Sequence, residues 1–289
     1  MKRFNGIALS VAFCSLASQA ALAQTKIDTL KVQNLNEVIV KGVRAAKEAP
    51  YAVANIRKSE LKQFSCSGQE LPFLLSRTPG ILAWSENGIG TGTTYMRIRG
   101  AAGSRINVTL DGVALNSPED QTVFWANMNS YSSLLGSIQV QRGVGSSTNG
   151  DGAFGGSISM ATAAPSLTPT AEVTGSFGSY NTYHTGASFS TGLLGKHLIF
   201  DGAYHETATD GYVDGTAGRS GSYYGGLTWL SDNFKVSYKN IGNFEKTGQA
   251  WNGVLGGDYN SNFSLLQDGI RTYKDMYKAG LDKFNVLTG

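Results

Sequence analysis

The stretch Gly136–Ala163, GSIQVQRGVGSSTNGDGAFGGSISMATA, decides the fold. It opens on Ile138-Gln139-Val140-Gln141 and closes on Ser157-Ile158-Ser159-Met160, two apolar/polar alternations with the period of a half-buried strand. Between them stand Gly143, Gly145, Gly150, Gly152, Gly155 and Gly156, with little bulk besides Val144 and Phe154. Glycine is used where φ must be positive or where another backbone approaches closely. The pattern predicts two strands joined by a segment pressed against a surrounding wall. Gly150-Asp151-Gly152-Ala153-Phe154-Gly155 also spells GxGxxG, which binds dinucleotides only between a strand and a helix. Here the alternating Ser157–Met160 and then Pro165 follow, so the nucleotide reading fails.

An apolar strand, Arg142-Gly143, a small-residue run, Gly152-Ala153-Phe154-Gly155-Gly156 and a further strand together resemble the closing segment of the plug domain of TonB-dependent outer-membrane receptors. Asn149 stands where many members carry an aromatic before the middle glycine. Three more segments resemble the family in the same order. Leu74–Ile81 is similar to an early plug helix ending in Pro79-Gly80. Tyr95–Gly100 matches its Arg-x-Arg-Gly strand through Arg97, Arg99 and Gly100. Ile106–Val113 matches a strand running into the turn Asp111-Gly112, with Ala114 in place of the usual proline.

Composition agrees with a β protein. The 289 residues are only 16% charged, and they include 37 Gly, 13 Tyr and 13 Phe, which suits tight turns and strands and does not suggest disorder. Met1–Ala23 reads as a secretory signal, with Lys2 and Arg3 before an apolar run and Ala21-Leu22-Ala23 as the cleavage site. Without Lys2 and Arg3 the formal charge of +3 falls to +1, which gives no electrostatic case for nucleic-acid binding. Cleavage removes Cys14 and leaves Cys66 alone, so no internal disulfide is expected.

Short helices are expected at Ser59–Phe64, capped by Ser59, and at Gln69–Leu75, with Pro72 in the first turn. From Ala171 the texture changes to segments of about ten residues that alternate apolar and polar, the pattern of an outer-membrane strand. They are Ala171–Phe177, Tyr183–Phe189, Leu198–Tyr204, Tyr223–Trp229 and Phe234–Tyr238, with a short link at Ser231–Asn233 and a longer one at Glu206–Ser220. No apolar run after Ala23 is long enough for a spanning helix, so entry into a membrane requires a barrel.

The resemblance therefore implies a mainly β fold: a small α+β plug domain followed by the first strands of a transmembrane antiparallel β-barrel. The expected divisions are a signal peptide at 1–23, an N-terminal segment at 24–45, the plug at 46–165 and the start of the barrel at 166–289. A plugged barrel takes about 22 strands, and only about five are read here at the usual strand length. The sequence is thus read as a fragment, incomplete as a barrel.

Function follows from the same resemblance. It implies TonB-dependent uptake of a scarce nutrient in the Gram-negative outer membrane. Leu35–Lys41 resembles the TonB box, and Glu37, Val38, Ile39 and Val40 are its expected contacts with TonB, by strand addition. The same Val38–Val40 also suits the plug's own first strand. The nutrient is expected to be an iron chelate of the siderophore type, with cobalamin or haem as alternatives. The short spacing from Ala23 to Leu35 leaves no room for the extra domain of glycan-type members. A passive pore or adhesin is the reading from another class, and it needs neither box nor plug. Expected ligand contacts are Trp84, Asn87, Tyr95, Gln121, Phe124 and Trp125, whose aromatic and amide groups suit a large polar chelate; packing of the plug is the competing role. Arg97, Arg99 and Arg142 are expected to form ion pairs with the barrel wall. No catalytic constellation, cofactor motif or metal-ligand spacing is seen, and His184, His197 and His205 read as girdle or lumen residues.

Overall fold

The computed structural model describes residues 44, 45, 50, 52–144, 153–251, 254 and 269–287. The expected signal peptide, Glu37–Val40, and the glycine-rich centre at 145–152 lie outside the described residues.

The two alternating arms of the deciding stretch are strands β6 (Leu135–Arg142) and β7 (Gly156–Thr162). They pair with each other, antiparallel, with Val140 opposite Ile158 and Arg142 opposite Gly156. Around them a five-stranded sheet runs in the order β1-β6-β7-β4-β5, where β1 is Ala52–Arg57, β4 is Ile106–Leu110 and β5 is Val113–Ala114. β4 and β7 run parallel, and the other neighbours run antiparallel. Asp111 and Gly112 both have positive φ, so the Asp-Gly pair closes the β4–β5 hairpin as its chemistry predicts. A separate hairpin joins β2 (Ile81–Ser85) to β3 (Thr94–Ile98).

Helix α1 covers Lys58–Ser65, one residue earlier than expected. β1 hands directly to it at Arg57, and the Arg57 amide donates to Glu60 Oε1 at 3.4 Å, so Ser59 falls inside the helix rather than at its cap. Helix α2 covers Leu71–Leu75, with Pro72 in the first turn, where its missing N–H costs nothing. A third short helix, α3 (Tyr131–Leu134), leads into β6. These elements enclose one apolar core, in which Leu61, Phe64, Leu75, Ile98, Ile106, Ile138, Val140, Ile158 and Met160 are buried.

The glycines at the head of β7 are needed for contact inside this domain rather than with a wall. A Cβ on Gly155 would lie 2.4 Å from the Ala101 Cβ and 3.0 Å from the Arg105 carbonyl oxygen. A Cβ on Gly156 would lie 2.5 Å from the Gln141 carbonyl oxygen.

The second sheet is an antiparallel meander in the order β12-β11-β10-β9-β8. Its strands are β8 (Thr170–Phe177), β9 (Tyr183–Ser190), β10 (Leu198–Thr209), β11 (Gly218–Leu230) and β12 (Lys235–Thr247). Three of them are longer than the alternation suggested, because Glu206–Thr209 and Gly218–Ser220 pair in the ladder instead of forming a loop. The sheet does not close among the described residues. One face packs on the first domain, where Ala203, Tyr224 and Ile241 touch its core. The opposite face presents Phe177, Phe200, Tyr223, Leu227, Trp229, Val236 and Tyr238 outward, and Val173 there is 84% exposed. No described helix is long and apolar enough to cross a membrane, which says nothing about strands.

Candidate functional site

The β2–β3 hairpin carries an aromatic ledge. Trp84 and Tyr95 are opposite each other in the ladder, so their side chains share one face, with ring centroids 5.4 Å apart and planes 20° from parallel. They remain 40% and 38% exposed. The Arg97 guanidinium, on the same face, lies 5.9 Å from the Trp84 ring. The Tyr95 hydroxyl donates to Glu86 Oε1 at 2.7 Å. Partial burial first, and then the Glu86 carboxylate beside it, push the Tyr95 phenol up to about 12. The ledge thus offers stacking surface, one cation and one carboxylate within a single hairpin.

Asn87, three residues beyond Trp84, has a different role. It is buried, and its Oδ1 accepts from the Ser85 hydroxyl at 3.0 Å and the Ile89 amide at 3.1 Å, while its Nδ2 donates to Thr91 Oγ1 at 2.5 Å. Its carbonyl accepts from the Tyr212 amide at 2.9 Å. Asn87 therefore shapes the loop and ties it to the β10–β11 link. It does not present its amide outward. Trp125 is likewise buried, at the start of a 3-10 turn over Trp125–Met128, so it serves the core. Phe124 is 61% exposed, and Gln121 is exposed with φ 60°.

A segment after β12 closes over the same rim. Helix α4 (Tyr273–Lys278) begins at Thr272, whose hydroxyl accepts from the Asp275 amide at 3.2 Å. Asn285 Nδ2 donates to the Asp214 and Gln249 carbonyls at 2.8 and 2.9 Å. The Lys283 ammonium lies between the Tyr180 and Tyr212 rings, 5.7 and 5.6 Å from their centroids, and the Tyr212 hydroxyl donates to Asp282. Beneath this segment is a cavity of about 360 Å³, walled by Val213, Ala250, Tyr273, Met276 and Phe284 and reaching Glu86 of the ledge.

The seam between the first domain and the second sheet is polar. Lys62 of α1 pairs with Glu172 of β8 at 2.7 Å, and Asp111 pairs with Lys239 of β12 at 2.9 Å. Asp111 also accepts from the Thr162 amide at 2.9 Å and hydroxyl at 2.8 Å. Burial pushes the Asp111 carboxyl up, but the Thr162 amide and Lys239 outweigh it and hold it below the ordinary range. Among the described residues Arg97, Arg99 and Arg142 meet no carboxylate. Arg142 donates to the Pro79 carbonyl at 2.7 Å, and the Arg99 amide donates to the Gly80 carbonyl at 2.7 Å. Sequence reading gave Asp111 only a turn role and passed over Lys62 and Lys239, because a single charge on a strand or helix carries no pairing signal.

Arg44 was also passed over. It donates to the Ser137 hydroxyl at 3.0 Å and to the Ser159 carbonyl at 2.9 Å, which fastens the segment ahead of β1 onto β6 and β7. His184 and His205 lie side by side on the inner face of the second sheet, ring centroids 5.7 Å apart. His197 packs on Trp229 instead. No group of three or more potential metal ligands occurs among the described residues.

Residues 45–157 match the family described as the TonB-dependent Receptor Plug Domain. No curated protein sequence matches the chain. Similar solved structures include P. aeruginosa FpvA bound to heterologous pyoverdines, at 18% identity over 74% of this chain and 28% of that one, with a TM-score of 0.58. The ferric yersiniabactin uptake receptor FyuA from Yersinia pestis aligns at 16% identity over 71% of this chain and 33% of its own, TM-score 0.55. The copper transporter OprC aligns at 14% identity over 71% and 34%, TM-score 0.55. The chain thus spans roughly a third or less of the structures it resembles, and at these identities the likeness is one of fold.

Proposed function

The chain carries a TonB-dependent receptor plug domain at residues 45–157, and on that premise we propose that the protein takes up a scarce nutrient across the Gram-negative outer membrane with energy drawn from TonB. The observation that carries this reading is a plug seated on the polar inner face of a meander whose other face is apolar and aromatic. That division of faces is what a lipid-embedded barrel wall requires.

The nutrient is a metal chelate, most simply a ferric siderophore. Support comes from the ledge, where Trp84, Tyr95 and Arg97 supply stacking and positive charge toward the open side, with Phe124 and Gln121 as further contacts. The similar structures named with pyoverdine, yersiniabactin and copper are in keeping with metal-linked cargo. TonB adds as a strand to Glu37–Val40. Arg44, bonded to β6 and β7, joins that box to the body of the plug. Pairing of Arg97, Arg99 and Arg142 with further wall strands remains part of the proposal.

The test is growth of a strain lacking the full-length gene on single limiting sources: ferric siderophores, haem or cobalamin. Wild type restores growth on a ferric siderophore, and a Val38→Pro variant, which cannot pair as a strand, does not. Full rescue by Val38→Pro overturns the box, and a defect confined to cobalamin or haem overturns the siderophore.

A further inference from the structure

The seam holds one buried carboxyl group, Glu70, and one half-buried carboxyl group, Glu245, and among the described residues no ion pair joins either to a cation. Glu70, at the start of α2, is 1% exposed. Its Oε1 accepts from Asn129 Nδ2 at 2.6 Å, while its Oε2 has no hydrogen-bond partner. Glu245 on β12 also has a buried oxygen, Oε1, without a partner.

Sheet register and plug contacts place both on the same seam. His184, Thr207, Ser220 and Glu245 form one row across β9, β10, β11 and β12, on the face toward the plug. Plug residue Gly68 lies against His184 and Thr207 in that row. Two residues on, about 7 Å of extended chain, comes Glu70. The Glu70 amide donates to the Gly90 carbonyl at 2.8 Å, and Gly92 in the same loop lies against Thr247, two positions beyond Glu245 on the same face of β12.

The charged groups around the pair are otherwise committed. Lys62 is bound to Glu172, Lys239 to Asp111, and Arg219 to Glu206 on the outward face. Lys246 alternates to the face opposite Glu245. In the row, His184 Nδ1 is paired with Thr207 Oγ1 at 2.9 Å, and His205 stacks on His184. From the ledge loop, Glu86 is bonded to Tyr95 and to the Ala250 amide.

An ionised carboxylate buried without a counter-ion and beside a second carboxylate is strongly unfavourable, and such a group holds a proton instead. We propose that Glu70 holds a proton on the side of the seam facing Glu245, forming a latch that holds plug to wall and opens when rising pH removes the proton. Burial, and then the nearby Glu245 charge, raise the Glu70 carboxyl well above its ordinary range against the opposing Asn129 bond. For a carboxyl raised in the folded state, stabilisation is complete below the ordinary carboxylate range and is lost as pH rises through the folded value. The latch requires the plug to be seated in the wall; it does not depend on which nutrient is carried or on TonB.

The experiment uses the full-length protein in detergent micelles. Its readouts are the infrared band of a buried protonated carboxyl and hydrogen exchange of the Gly92–Thr94 amides, corrected for intrinsic pH dependence. In wild type the band persists above the ordinary carboxylate range and fades as pH rises through the folded value, while seam exchange accelerates by up to about tenfold per pH unit, the limit for one released proton. Glu70→Gln keeps the Asn129 bond, donates its amide to Glu245, and abolishes both the band and the acceleration. Glu245→Gln, which leaves the plug sequence untouched, removes the acceleration as well. An unchanged acceleration in both variants overturns the latch. So does restoration of protection at raised pH by millimolar Ca²⁺, which would mean a bridging cation rather than a proton.

Discussion

Trp84 and Asn87 lie three residues apart on one hairpin and do opposite work. Trp84 is exposed and stacked, while Asn87 is buried and fully engaged inside its loop. Trp84→Ala is expected to weaken chelate binding by about tenfold, the loss of one aromatic anchor, with little change in melting temperature. Asn87→Ala removes three side-chain hydrogen bonds, one of them fully buried, and is expected to cost about 1–3 kcal/mol of stability, seen as a lower melting temperature before any change in affinity. Asp111 gives a pH signature. Its carboxyl is held low in the folded protein, so its stabilisation is present above the ordinary carboxylate value of about 4 and is lost as pH falls through the folded value. Acid unfolding of Lys239→Met should therefore show a shallower pH dependence than wild type; an unchanged slope would remove the Asp111–Lys239 bond from the account. Residue type alone singled out Trp84 and Tyr95, which stand exposed in the structure. It could not separate them from Asn87 and Trp125, because exposure is set by which side of a hairpin or turn faces the core.

At the scale of elements, periodicity was legible wherever one face is apolar. β6, β7 and the Asp-Gly hairpin fall where the alternation and turn chemistry put them. The upper halves of β10, β11 and β12 were not legible, since Glu206, Arg219 and Lys246 stand outward there and interrupt the apolar period. Glu206 and Arg219 are satisfied locally: Glu206 takes two bonds from Arg219, at 2.9 and 2.7 Å, and one from each of Tyr183 and Tyr204. The glycine-rich link was read as pressed against a wall, whereas at Gly155 the close neighbours are Ala101 and Arg105 of the plug itself. Gly155→Val should accordingly destabilise the plug by about 1–3 kcal/mol through overpacking. Increased exchange in β4 and β7, with β8–β12 unaffected, is the expected result.

For the whole molecule, the sheet order gives the plug two unequal edges. β1, which follows the expected TonB-contact segment, is one edge, and the β4–β5 hairpin, tied to β12 by Asp111 and Lys239, is the other. The plug and the wall were legible as a pair because four plug segments and five alternating strands occur in order. The ion pairs of the seam were not, because each joins residues more than a hundred positions apart or on unrelated elements. The central claim is that this plug sits in a transporter driven by energy from TonB. The most direct measurement is accumulation of a radiolabelled ferric siderophore by cells expressing the full-length protein, with and without a proton uncoupler. The account predicts surface binding in both conditions and accumulation only without the uncoupler. Accumulation that continues unchanged in its presence would contradict it and make the protein a passive pore.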